Sequence, residues 1–442
     1  MDTRGHDWTG NPIVDVGLAA MCAMTGVATP PELAMDDLDR VSAELADAYF
    51  SGAMGAYLTC VYPNSAYVNP TMGDQKRARY RRDVLSAHRR TPGPEACQLC
   101  GRASVAWANR QHVPMVTGEG VVNFVPNAAG GLRVCGTCLL AAQAFAFGAV
   151  RCQGRALAVG SDAHEVTLWF ARRAVVWNRK ALQVARLGEG KYPAEPNPAR
   201  YVVGLLSEVG DELDLLGRPA SATVYHLTNS GQGPALDLYP LPSHVLRFLA
   251  LLSLDTYRGA WAAVTALGRH PKRPDRNLAY EAAFGWPAGA PVFVRRYLMR
   301  LRHPGAWALT ELFALEVMRM EKARVDAVRE LGDRLAGEII DAHDRPLYRR
   351  LYRGQRFFEL RGELIKLDQR AASAGRQVPV GFDRFVEAFV AADGVERPDW
   401  RLARDLVLIR LIERLGAEGF FTAEDAALAD NEEETETTEG VA

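Results

Sequence analysis

The 442-residue chain holds no run able to cross a bilayer. Its two greasiest stretches, 138–150 and 245–254, fall short of the roughly 20 apolar residues a spanning helix needs. The start, Met1-Asp2-Thr3-Arg4-Gly5-His6-Asp7, lacks the basic leader and unbroken apolar core of a secretory signal. Both absences point to a soluble cytoplasmic protein with no membrane partner. Cysteine is sparse at seven residues, too few for a disulfide scaffold of this length. The phosphate loop Gly-x-x-x-x-Gly-Lys-Ser/Thr is missing, so ATP hydrolysis has no seat, and His-Glu-x-x-His and Gly-x-Ser-x-Gly are missing too. The one His-Asp dipeptide, His343-Asp344, would serve a metal-dependent nuclease only with further ligands, and reads more simply as a turn at a helix end. The expectation is a protein that is not an enzyme.

An excess of one charge is also lacking, with 52 Lys+Arg against 53 Asp+Glu and a net charge of −1. That balance conceals an uneven distribution. Glu424, Asp425, Asp430, Glu432, Glu433, Glu434, Glu436 and Glu439 place eight acids and no base in the last twenty residues. The rest of the chain then carries 52 bases against 45 acids, which reopens the case for a polyanionic partner.

What is present is a globular composition, 48% apolar and 24% charged, at a length that accommodates two or three domains. Thr29-Pro30-Pro31-Glu32 resembles a capping box opening a helix with Leu38, Val41, Leu45 and Tyr49 on one face. An aromatic, extended stretch is expected over 57–67, and a helix over 162–186. A Pro-rich linker spans 193–198. Residues 223–227 and 235–239 flank Asn229-Ser230-Gly231-Gln232-Gly233, a hairpin signal. From residue 304 the apolar spacing turns helical, with Met318 and Met320 placed in the first helix and three further runs at 346–370, 382–392 and 400–415. The expected fold is α+β: a mixed domain over 1–245 with an inserted four-cysteine zinc module near 95–152, a basic connecting segment over 246–303, a helical bundle over 304–422, and a disordered acidic tail over 423–442.

Two Cys-x-x-Cys pairs, Cys97/Cys100 and Cys135/Cys138, stand 34 residues apart. Each pair presents two thiolates along one edge of a tetrahedron, and two pairs complete a structural Zn2+ site with no position left for water or substrate. The alternative is four reduced, buried cysteines without metal. His112 could substitute as a ligand, while Cys22, Cys60 and Cys152 read as core thiols.

Seven bases, Lys76, Arg77, Arg79, Arg81, Arg82, Arg89 and Arg90, surround a single acid, Asp83, beside Tyr62, Tyr67 and Tyr80. A positive segment flanked by flat rings suits a phosphate backbone or a splayed strand, and the plain alternative is a solvated charged face. A second group holds Arg269, Lys272, Arg273, Arg276, Arg295, Arg296, Arg300 and Arg302. A third, Arg345, Arg349, Arg353 and Arg356, falls at helical spacing.

In order along the chain come Asn11-Pro12-Ile13-Val14-Asp15-Val16-Gly17, Val61-Tyr62-Pro63-Asn64-Ser65, Cys97-x-x-Cys100-Gly101, Val122-Asn123-Phe124-Val125-Pro126, Gly131 to Leu139 around the second cysteine pair, and Tyr225-His226-Leu227-Thr228-Asn229-Ser230-Gly231. This series resembles the CRISPR-associated CXXC–CXXC proteins, large subunits of type I-B Cascade-like effector complexes. Beyond about residue 245 the likeness is only of helical architecture. The resemblance implies a non-catalytic subunit of a crRNA-containing complex with backbone and small subunits. Such a subunit recognises the motif flanking the target (the PAM), binds double-stranded target DNA, stabilises the R-loop with its displaced strand, and helps recruit a separate helicase-nuclease. Asn64, Ser65 and Asn69, compact polar groups beside the basic run, are candidate flanking-motif readers or simply turn formers. The competing classes are a stand-alone zinc-stabilised DNA-binding regulator and a nuclease with an unrecognised site.

Overall fold

The computed structural model describes residues 7–69, 71–116, 131–188, 192–212, 219–229, 234–354 and 356–421. Val122 to Pro126, the tip of the 223–239 hairpin and the acidic tail lie outside them. The chain is α+β with small antiparallel sheets and divides into two compact units. One comprises Met1–Tyr201 with Asp214–Leu246, the other Val202–Leu213 with Arg247–Ala442.

The first unit is built around one helix. Helix α1 (Pro12–Thr25) is opened by Asn11, whose side chain accepts from the Ile13 and Val14 N–H groups, and is closed by left-handed Gly26. Helix α2 (Met35–Phe50) buries Leu38, Val41, Leu45 and Tyr49, as their spacing predicts. It starts later than expected. Pro30–Glu32 forms a separate 3-10 turn, and the Asp37 carboxylate accepts from the Ala34 N–H at 2.8 Å to open the helix proper. Residues Gly55–Val61 form helix α3, and Asp74–Tyr80 form α4, which continues as a π turn over Arg81–Leu85 and a 3-10 turn over Ala87–Arg89. Helix α5 (Gly136–Gly148) is buried on every side, so it lies at the centre of the unit. Helix α6 (His164–Arg186) packs on α1 and α5.

Close approach explains two glycines. A Cβ on Gly17 of α1 would sit 1.8 Å from the Ala141 carbonyl oxygen of α5, and one on Gly148 would sit 2.6 Å from the Val16 carbonyl oxygen. The two helices therefore cross backbone to backbone.

Helix α3 corrects the extended reading of the aromatic stretch. Tyrosines from α2, α3 and the residues after α3 turn their phenols inward onto α5. Tyr49 donates to the Gln143 carbonyl at 2.5 Å, Tyr57 to the Ala146 carbonyl at 3.0 Å, Tyr62 to the Ala142 carbonyl at 2.7 Å, and Tyr67 to the Gln143 Oε1 at 2.6 Å. Burial pushes all four phenol pKa values up, so they remain neutral donors. From α6, Asn178 donates to the Ala149 and Phe147 carbonyls, closing the C-terminal end of α5.

Strands β1 (Ala106–Ala108) and β2 (Leu132–Val134) pair antiparallel between the two cysteine pairs. A second sheet is a meander of β3 (Val150–Cys152), β4 (Arg155–Ser161), β5 (Ala222–Thr228) and β6 (Ala235–Leu241). Strands β5 and β6 form the expected hairpin, with Thr228 opposite Ala235.

Helices α7 (Pro198–Ser207) and α8 (Ser243–Leu251) each contain a point where the chain passes from one unit to the other. The second unit continues with α9 (Asp255–Leu267), α10 (Leu278–Ala283), α11 (Ala290–Phe293, extended by a π turn through Leu298) and α12 (Ala306–Glu316). Phe248, Trp286, Phe293 and Phe313 form its aromatic centre, with ring centroids 4.8–5.5 Å apart. Then come α13 (Lys322–Ala342), α14 (Arg345–Arg353), α15 (Phe357–Ser373), α16 (Phe382–Phe389) and α17 (Trp400–Ala417).

Two expected helices are each divided. The first breaks after Glu316, because Arg319 is left-handed (φ 56), so Met318 and Met320 lie in a connection and not in a helix. The run 346–370 breaks at Gly354. His343 and Asp344 form a helix-end turn. His343 is the left-handed cap of α13, and Asp344 opens α14 by accepting from the Leu347 N–H at 2.9 Å. Among the described residues no helix is long and apolar enough to cross a membrane.

Candidate metal centre

The four cysteines converge. The Sγ atoms of Cys97, Cys100, Cys135 and Cys138 all lie within 4.8 Å of one another, with Cys100 and Cys135 at 3.5 Å. A tetrahedral ion with bonds of about 2.3 Å needs sulfur–sulfur edges near 3.8 Å, so the cluster is of the right size for a four-coordinate metal.

Local backbone explains the convergence. In the first pair Cys97 donates its N–H to the Arg102 carbonyl at 2.6 Å and Gly101 returns one to the Cys97 carbonyl at 2.9 Å. This tight turn requires the left-handed φ of 75 that Gly101 supplies. Gln98 and Val105 then donate to the Arg133 and Val134 carbonyls, stitching the turn to β2. The second pair opens α5. Cys135 is its N-cap, with the Sγ accepting from the Cys138 N–H at 3.4 Å, so both sulfurs lie at the positive end of a helix dipole.

The thiols cannot all ionise together without a cation. Hydrogen bonds from neighbouring thiols pull Cys97 far down and Cys100 down to about 6, while Cys135 and Cys138, the groups that keep protons to donate, are pushed up. A divalent ion would relieve this conflict by holding four thiolates at once. Burial opposes the charge of Arg102, yet Cys135 and Cys100 outweigh it and favour its guanidinium.

The remaining thiols stand apart. Burial pushes Cys22 and Cys152 up to about 12 and raises Cys60, as befits core residues. His112 is stacked on Tyr80 at 5.6 Å, with Nδ1 facing the Asn109 N–H at 3.2 Å and burial lowering it to about 4. It takes no part in the cluster.

The basic segment reaches the cysteine cluster through a contact that its own sequence does not foreshadow. A Cβ on Gly136, between the second-pair cysteines, would meet the His88 Cα and N at 2.4 Å and the Ala87 carbonyl oxygen at 2.5 Å. The 3-10 turn Ala87–Arg89 thus seats directly on the knuckle. It is also held to α2: His88 Nε2 lies 2.8 Å from Asp39 Oδ1, and Arg89 pairs with the same carboxylate. Arg89 first and then His88 hold Asp39 well below the usual carboxylate range.

Lys76, Arg79, Arg81, Arg82, Arg89 and Arg90 are exposed, and Arg77 is half-buried. Arg79 and Arg82 share Asp83 at 3.3 Å, whereas Lys76, Arg81 and Arg90 have no ion pair among the described residues. Their aromatic neighbours point the other way. Tyr62 and Tyr67 are buried on α5, and Tyr80 donates to the Gln111 carbonyl at 3.0 Å, which corrects the picture of rings flanking a nucleic-acid path.

Asn64 is exposed and left-handed (φ 64), and Asn69 accepts from the Thr71 N–H and Oγ1 at 3.0 and 2.7 Å. Ser65 is fully buried, which withdraws it from a reading surface. The trio is built as a turn.

In the second unit Arg295 and Arg296 are exposed on the π turn after α11. Arg349 and Arg353 lie on α14, but Arg356 is the N-cap of α15, so the expected line of four is interrupted by the break at Gly354. No family model, curated protein or solved structure matches the chain.

Proposed function

We propose that the four cysteines hold one structural zinc ion, and that the chain is a non-catalytic, DNA-binding large subunit of an RNA-guided CRISPR surveillance complex of the type I-B Cascade-like kind. The observation that carries the reading is the seat of the basic segment on Gly136. A closed four-sulfur centre fixes a knuckle, and the knuckle fixes the Ala87–Arg89 turn. The turn in its place orients a surface on which Lys76, Arg81 and Arg90 have no ion pair among the described residues. When bound, zinc supplies a cross-link between residues 97–100 and 135–138 and leaves no open position for a substrate.

The chemistry asked of such a subunit is modest. Guide pairing reads the target sequence, and the protein contributes backbone electrostatics and a short recognition element. Lys76, Arg77, Arg79, Arg81 and Arg82 are suited to phosphates, and the neighbouring turn at Asn64 and Asn69 is the place to look for flanking-motif contacts.

The test uses the chain assembled with its guide-containing complex and a target duplex. Changing Arg77, Arg79, Arg81 and Arg82 together to Ala should weaken binding at every salt concentration. It should also flatten the dependence of log K on log salt by about 0.9 for each phosphate no longer neutralised. An unchanged slope removes the segment from the DNA path. Equal duplex binding by the isolated chain without a guide would favour a stand-alone zinc-stabilised regulator instead.

A further inference from the structure

Helices α14 and α15 form the walls of an open groove of about 500 Å3 that runs into a second depression of about 470 Å3 at Lys366. Arg349, Arg350, Arg353, Lys366 and Arg370 line it against only two acids, Glu359 and Glu363. Glu363 is already shared between Arg350 at 2.8 Å and Lys366 at 2.9 Å, and Arg370 lies 3.9 Å from Asp344, so the five bases outnumber the acids beside them and the groove is net positive. Phe358, 64% exposed, stands at its edge as an apolar foothold.

The last described residues lie against α14, one wall of the groove. Phe421 packs edge-on against Tyr348 of α14 at 5.4 Å. The Arg345 guanidinium lies 5.4 Å from the Phe420 ring and donates to the Phe420 carbonyl at 3.3 Å. Farther along the sequence stand Ala426-Ala427-Leu428-Ala429 and then its densest run of acids, with no base after Arg414. At about 1.5 Å per residue, Arg349 and Arg353 lie only about 6 and 12 Å along the helix axis from Arg345. An extended chain covers about 3.4 Å per residue, so the eleven residues from 421 to 432 span more than the length of α15.

We propose that the acidic segment 424–439 docks in this groove of its own chain, with its carboxylates on Arg349, Arg353 and Lys366 and its Ala/Leu stretch near Phe358. Single exposed ion pairs contribute little. Several of them on a segment tethered within a few ångströms gain from a high effective concentration, and the association weakens as salt rises. The docked segment would shield the groove from any other polyanion. This docking is independent of whether the chain belongs to an RNA-guided complex.

The chain has six lysines, so a zero-length carbodiimide, which couples carboxylates to amines, gives a sparse and readable map. The full chain at low salt should couple tail glutamates to Lys366 at least fivefold more than to Lys76, Lys180, Lys272 or Lys322. The yield should fall severalfold in 0.5 M salt and in the Arg349→Ala/Arg353→Ala double variant, while local coupling of Lys366 to Glu363 continues. A second variant, Glu432, Glu433, Glu434 and Glu436 changed to Gln, should lose protection of α14 and α15 in hydrogen exchange without unfolding. Even coupling across the lysines, coupling indifferent to Arg349 and Arg353, or coupling found only between isotopically distinct copies would overturn the proposal.

Discussion

In the first unit the polar side chains around the central helix are neutral: Tyr49, Tyr57 and Tyr62 donate to carbonyls of α5, Tyr67 to its Gln143 side chain, and the Asn178 amide to its C-terminal end. In the second unit charged pairs are prominent. Arg324 grips Asp399 with two bonds of 2.7 and 2.9 Å, Arg404 pairs with Asp405 at 2.7 Å, and Arg410 holds Asp333 and Glu413. The neutral arrangement depends on shape. It places backbones in contact at Gly17, Gly136 and Gly148, and it hangs on one four-sulfur junction. The charged arrangement spreads its load over several pairs, of which Arg324–Asp399 and Arg410–Asp333 join α13 to α17 and its N-cap. Disturbance should therefore travel far in the first unit and stay local in the second.

Removing a sulfur should have the largest effect. Cys97→Ser or Cys138→Ser is expected to lower metal content from one ion per chain to none and to cost several kcal/mol, since metal and fold are linked. Metal analysis together with thermal unfolding checks both. A variant that keeps the metal and its melting temperature would break the comparison at its strongest point. Next comes Gly17→Ala. Its methyl has no room beside the Ala141 carbonyl, so separating α1 from α5 should cost about 3 kcal/mol or more in denaturant unfolding. In the second unit Arg324→Ala leaves a partly exposed Asp399 behind. The expected loss is smaller, about 2–3 kcal/mol, confined to the contacts of α13 with α16 and α17.

The parts legible in the sequence are those whose cause is local. Cysteine spacing fixes each knuckle within four residues, the apolar period of α6 is its own, and the turn signal between β5 and β6 needs nothing distant. The misread parts have distant causes. Nothing near Tyr57 or Tyr62 reveals that their hydroxyls answer carbonyls more than 75 residues away, and Tyr62 reads from sequence as one of the flat rings beside a nucleic-acid path. Nothing in the sequence around Gly136 shows why it is small, and the cause is His88, 48 residues earlier, which occupies the space. The break at Arg319 and the one at Gly354 each divide a periodic run whose pattern continues across it.

Hydrogen exchange on the full chain, with and without a strong chelator, tests most directly whether the metal centre holds the basic segment in place. The account predicts that chelation accelerates exchange over residues 81–90 and 132–148 while residues 324–342 and 400–415 keep their protection. Unchanged exchange over 81–90, or equal loss in both units, would contradict it.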